Sequence, residues 1–241
     1  MSEQMNAPLL PPPSGVSEWL SVWRDALTKP SDQTFAAMAQ SPNAKLTTAL
    51  LWVFLGSLVN TLLGSLVQGA IFRQMMQNSD FGRNGFPGMA GGGLVGVICG
   101  APIAAVISVV IFAAVVGVVQ LIAKMFGGRG TFDQLAYAIA AIFTPISLIN
   151  SVFTLLAAIP FVVYCAGLIS LLLFVYAVVL QVMAVKGVHQ FGWGQAAASL
   201  LLPFFVLCCC LTVGVIGILR ALGPGINEIF NSIQQSLTPV P

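Results

Sequence analysis

QLAYAIAAIFTPISLINSVFTLLAAIPFVVYCAGLISLLLFVYAVVLQVMAV, residues 134–185, runs for fifty-two positions without a charged side chain. A soluble domain of 241 residues has no interior that could hide such a run. A bilayer core is about 30 Å thick and takes about 20 apolar residues per helix. The stretch is therefore long enough for two spans, with Pro160 at the break between them. Lipid is the solvent, and every backbone polar group inside it must be satisfied within a helix.

Working outward, the same pattern predicts five spans, at residues 46–72, 93–123, 132–157, 161–185 and 195–219. The expected fold class is all-α: a polytopic membrane protein, a bundle of five transmembrane helices with short amphipathic helices at its N- and C-terminal ends. Residues 1–45 read as a cytosolic region, 46–222 as the membrane domain and 223–241 as an amphipathic tail. In that tail Ile226, Ile229, Phe230, Ile233 and Leu237 share one side. Pro8, Pro11, Pro12 and Pro13 predict a disordered start. Ser17 is placed to cap a helix over 18–28. Trp19, Leu20, Trp23, Ala26 and Leu27 then share a face, which predicts a helix lying at the headgroup level. A second short helical turn is expected over 34–40. No basic segment opens the chain, Glu3 standing where one is expected, so the first span should serve as its own insertion signal.

Composition narrows the function. The chain is 58% hydrophobic and 7% charged, against about 25% charged in average soluble domains. A net charge of +2 offers no surface for a nucleic acid. Cys99, Cys165, Cys208, Cys209 and Cys210 all fall in apolar runs, without His, Asp or Glu at metal-ligand spacing. They read as small polarizable filler, and no metal is expected. The lone histidine, His189, falls in the expected loop between spans four and five. No HExxH pair and no Ser-His-Asp set is available, which predicts a protein that is not an enzyme and needs no cofactor. The polar residues inside the spans are Asn60, Gln68, Gln120, Asn150 and Gln181. No charge lies at mid-membrane, where an ion-coupled carrier needs one. Pro102, Pro145, Pro160 and Pro203 keep a channel or transporter component as the alternative, since prolines free carbonyls inside spans.

Lys/Arg bias sets the orientation. Arg24, Lys29, Lys45, Lys124, Arg129 and Lys186 fall on one side, and Arg73, Arg83 and Arg220 on the other. The N-terminus is therefore expected in the cytoplasm and the C-terminus outside. Packing is expected through small residues. Gly92, Gly96, Gly100, Ala104 and Ser108 recur every four residues in the second span, and Gly56, Asn60, Gly64 and Gln68 in the first. These two stripes are expected to meet.

The charged loops carry the most specific pattern. Lys124-Met-Phe-Gly-Gly-Arg-Gly-Thr-Phe-Asp-Gln-Leu-Ala-Tyr137 precedes a span with Pro145, and Gln181-Val-Met-Ala-Val-Lys-Gly-Val-His189 leads to Gly194-Gln-Ala-Ala-Ala198 and Pro203. With Trp23, Leu27, Pro30 and Phe35 upstream, this order resembles the Yip family of Ypt/Rab-GTPase-interacting membrane proteins, in its prokaryotic form, over about residues 19–220. The resemblance implies a five-helix bundle with a cytosolic N-terminal region. It also implies kinship with eukaryotic members that bind prenylated small GTPases and act in vesicle traffic and membrane shaping. The short N-terminal region and brief proline tract set this chain apart from those members.

The loop also has a reading of its own. Gly127, Gly128 and Gly130 permit a tight reversal, and Thr131 can cap the third span. Lys124 and Arg129 can meet anionic headgroups. The combined expectation is a non-enzymatic scaffold in a bacterial cytoplasmic (inner) membrane. It contacts lipids, a membrane or cytosolic protein partner, or a second copy through Trp19, Trp23, Lys124 and Arg129.

Overall fold

The computed structural model describes residues 15–77, 94–156 and 162–237. Residues 1–14, the glycine-rich 78–93 segment with Gly92, and Pro160 lie outside the described residues, as does the packing of Gln68, Gly96 and the residues beyond Arg220. Two short helices come first, α1 Val16–Thr28 and α2 Asp32–Ala39. Five long ones follow: α3 Leu46–Gln77, α4 Leu94–Met125, α5 Phe132–Leu156, α6 Val162–His189 and α7 Trp193–Leu237. Each long helix holds a segment apolar and long enough to cross a bilayer: Leu46–Ser65, Cys99–Met125, Phe132–Leu156, Tyr164–His189 and Trp193–Gly217. The protein is all-helical and integral to a membrane.

Residues 200–241 group as a unit by themselves. There the helix runs on through Gly223-Pro224-Gly225 to Leu237, where the sequence suggests a break between a span and a separate tail. The remaining features belong to residues 1–199. Within them α5 is central, packed by α3, α4, α6 and both short helices. Leu135 to Ile142 are buried one after another. A segment buried on all sides is a core segment; farther on, α5 exposes Phe143, Ile149, Val152 and Leu156. α4 differs: Ala101, Ala105, Phe112, Val116, Val119 and Ala123 are buried along one side, while Ile103, Val106, Val110 and Leu121 are exposed. In a membrane those exposed side chains face lipid tails.

Among the described residues of the two small-residue stripes, Gly56 and Asn60 meet α5. Gly56 lies against α5, where an added Cβ would stand 2.9 Å from Thr144 Cγ2. Asn60 turns to the same helix, and Ser151 Oγ donates to its Oδ1 at 2.9 Å. α3 does touch α4, but α4 buries Ala101 and Ala105, one residue on from Gly100 and Ala104. A Cβ at Gly100 would meet nothing within 4 Å. Hydrogen bonding contributes to this contact with α5, although Asn60 itself stays exposed. The Asn60 amide needs a polar partner in a dry environment, and the hydroxyl at Ser151 supplies one. Pro102 and Pro145 lie inside α4 and α5, which run through them without interruption.

α1 is fixed by aromatic contacts. Trp19 and Trp23 meet Trp52 of α3 edge-on, at centroid distances of 6.1 and 5.7 Å, and Trp52 stacks at a tilt on Tyr137 of α5 at 4.9 Å. Edge-to-face pairs of this kind add about 0.5–1.5 kcal/mol beyond area burial. Trp52 is 1% exposed and touches all three partners, so it is the keystone of the set. Trp52→Ala is expected to destabilise the protein by about 3 kcal/mol and to speed proteolysis of α1. Chemical unfolding in detergent, with limited trypsinolysis at Arg24, measures both. An unchanged midpoint with an unchanged cleavage rate would refute the anchoring.

Candidate functional site

The burial pattern of α6 changes along its length. From Tyr164 to Val179 it exposes Leu168, Leu171, Leu172, Phe174 and Val175, whereas Leu180, Ala184, Val185, Val188 and His189 are buried. A helix of 28 residues is about 42 Å long, more than a bilayer core requires. Its last three turns are covered by protein. α2 and the loop between α4 and α5 provide that cover.

α2 starts where Ser31 caps it, its Oγ accepting from Thr34 N at 3.0 Å. It then buries Phe35 and Ala39. Its closest approach to α6 is at Gly187, where any Cβ would run into the Asp32 carbonyl, with Phe35 Cβ 3.1 Å away. Beside this point Lys186 Nζ donates to Asp32 Oδ2 at 2.6 Å and stands 4.5 Å from the centre of the Trp193 ring. The hydrogen bond from Lys186 holds the Asp32 carboxyl below the usual carboxylate range. Deeper along α6, Tyr176 Oη donates to the Leu27 carbonyl at 2.5 Å, satisfying an open end of α1. Asn43, ahead of α3, bonds Glu18 at the other end of α1.

The loop wraps the end of α6 from the other side. α4 ends with Gly127 at φ +84° and α6 with Gln190 at φ +56°, both in the left-handed region that closes helices. Gly128 N–H donates to the Ala123 carbonyl at 2.9 Å. Gly130 is gripped twice: its N–H donates to His189 Nδ1 at 3.2 Å, and its carbonyl accepts from Gln120 Nε2 at 2.9 Å. Arg129 N–H donates to the His189 carbonyl at 3.4 Å. Thr131 and Gln134 close a reciprocal cap at the start of α5, with Thr131 N–H donating to Gln134 Oε1 at 2.9 Å. Only Gly127 of the three loop glycines uses a positive φ. Gly128 and Gly130 are needed for space, because a Cβ on either would strike His189 or Val188.

His189 is thus no loop residue. It is the last residue of α6, 1% exposed and stacked on Phe191 at 5.5 Å. Trp19 and Trp23, both half-buried, turn onto the buried Trp52, and α1 turns Val16 and Leu20 outward, at 65% and 56% exposure. Lys124 and Arg129 are exposed at the loop. Two shallow depressions of about 130 and 310 Å³ lie side by side here, sharing Ala36, Gly187 and Gln190. The first is bordered by Arg129 and Gln134, the second by Asp32, Lys186 and Phe191. Among the described residues no His, Cys, Asp and Glu side chains gather as a metal site. All five cysteines are free and exposed.

The loop residues that build this cap lie within the span matched by the family model for the Yip1 domain, residues 24–215. The chain belongs to the Yip1-domain family. No curated protein and no solved structure matches it. In this Yip1 domain the loop of residues 126–131 packs against the end of α6 as well as turning the chain between spans.

Two outcomes test the geometry. Gly130→Ala and Gly187→Ala each force backbone apart, and overpacking of this kind costs about 1–3 kcal/mol; the thermal midpoint in detergent should fall for both, while Gly64→Ala, which meets nothing within 4 Å, should leave it unchanged. The Asp32–Lys186 pair stabilises the fold above the ordinary aspartate pKa of about 3.9. Because the folded-state pKa is the lower one, that contribution is lost as pH falls through it. Asp32→Asn should lower the thermal midpoint at neutral pH. The gap to wild type should close only below about pH 4; a gap that persists there would show that the charge is not responsible.

Proposed function

We infer that the protein is a non-enzymatic membrane scaffold of the Yip type, which organises the bilayer or docks a protein partner at the capped end of its helices. The single observation behind this is the cap itself. α1, α2 and the α4–α5 loop build a protein surface at one end of the membrane helices, and that surface presents Val16, Leu20, Lys124 and Arg129. Membership of the Yip1-domain family supports the reading. The charge bias of the loops favours a cytoplasmic position for this end, with the C-terminus outside, in a bacterial inner membrane. There Lys124 and Arg129 each add about 1 kcal/mol of attraction to anionic headgroups. The inward set of Trp19 and Trp23 supports a role for them in holding α1 in place, so that its outer face makes the contact.

The test compares wild type with Leu20→Ala/Arg129→Ala in affinity purification from native membranes with quantitative mass spectrometry. Both substitutions are on exposed side chains and should leave folding intact. Partner recovery is expected to drop in the variant at equal protein level, or, where lipid is the partner, binding to anionic vesicles should drop. Equal recovery and equal vesicle binding in both proteins would end the scaffold reading. Solute flux through reconstituted liposomes would then favour the channel component.

A further inference from the structure

We propose that His189 is a proton-operated latch: the neutral ring holds the α4–α5 loop against the end of α6, and the protonated ring releases it. The inference rests on the geometry of the loop alone and not on the scaffold reading. A backbone N–H can only donate. Gly130 N–H points to His189 Nδ1 at 3.2 Å, so that nitrogen must offer a lone pair. The contact exists only with a neutral imidazole whose proton sits on Nε2.

Adding a proton at Nδ1 sets two donors face to face. The buried ring has no way to relieve this in place. Its Nε2 is buried with no hydrogen-bond partner among the described residues. The ring lies against Gly128, where even a Cβ would be 2.5 Å from Nδ1, and it stacks on Phe191. The charges nearby offer no compensation. Lys124 at the end of α4 is the charge that bears on the ring. The loop adds Arg129, and α6 itself adds Lys186. Asp32 of α2 is taken up by Lys186. Asp133 stands exposed in the first turn of α5. A protonated His189 therefore repels both the Gly130 amide and Lys124, with no buried carboxylate among the described residues to hold it.

Release frees Gly130 from one of its two grips. The other, from Gln120 Nε2 to the Gly130 carbonyl, holds the loop to α4 alone. The expected motion is a parting of the loop from α6, carrying Arg129 away from the His189 carbonyl. The sign follows directly. Docking requires a deprotonated group, so docking weakens as pH falls.

The experiment is hydrogen–deuterium exchange of the full chain in nanodiscs, at about pH 7.5 and about pH 4.5, a window across which a histidine can titrate. Exchange in residues 126–131 is read relative to the α5 peptide in the same sample, which cancels the intrinsic pH dependence. In wild type the relative protection should fall as the ring titrates, by up to about tenfold per pH unit. His189→Asn keeps an acceptor where Nδ1 lies but cannot be protonated, and should stay protected at both values. His189→Ala should be unprotected at both. A wild-type ratio that does not change with pH overturns the proposal, whatever the variants do. So does a fall that His189→Asn shows equally.

Discussion

Close approach of backbone to backbone is the constraint on which this end of the molecule depends. At Gly187 the carbonyl of Asp32 comes so near that no side chain fits, and at Gly130 the main chain of the loop lies against Val188 and His189. Both contacts fall on the final turn of α6, one from α2 and one from the loop. A hydrogen bond or an ion pair can tolerate a shift of some tenths of an ångström. Packed backbone cannot. Lys186, Gln120 and the three tryptophans add hold to an arrangement whose shape the glycines already determine.

The membrane helices below obey different rules. Hydrophobic burial gives no net drive between helices already in lipid, so the polar groups decide the pairing. Asn60 illustrates this, since its amide turns to the third span and finds Ser151 there. α4 keeps an apolar outer face and buries a line of alanines and valines. At the capped end water is near, and the ordinary economy of a soluble core returns: aromatic stacking, capped helices and a buried histidine.

Much of this was legible in the residues. Charge-free runs of the right length located every long helix, because the bilayer imposes a length that no local preference can override. The Gly-Gly-Arg-Gly-Thr loop stood out by its composition, and the family match covers it. What stayed hidden depends on distance in three dimensions. Small-residue spacing showed which faces of α3 and α4 are smooth, but not which helix would claim them, since Ser147 and Ser151 resemble any serine that bonds back to its own helix. Nothing near the tryptophans of α1 in sequence announced their contact with Trp52, which stacks in turn on Tyr137. His189 read as a loop residue because the span was expected to stop at Val185. A helix that outruns the bilayer continues without an apolar signal, and Val188-His189 carried too little of one.

The bond between Lys186 and Asp32 joins residues 154 positions apart in the chain. Chains emerge at about 5–20 residues per second, so α2 waits on the order of 8–30 s for the turn of α6 that completes its seat. α1 likewise waits for Tyr137 and Tyr176. Through that interval the face that α2 turns to α6 has no cover from its own chain, whereas α1 meets Trp52 of α3 sooner. Biogenesis of this protein therefore includes a period in which α2 is open to the membrane surface or to a chaperone, and insertion of the fourth span ends it.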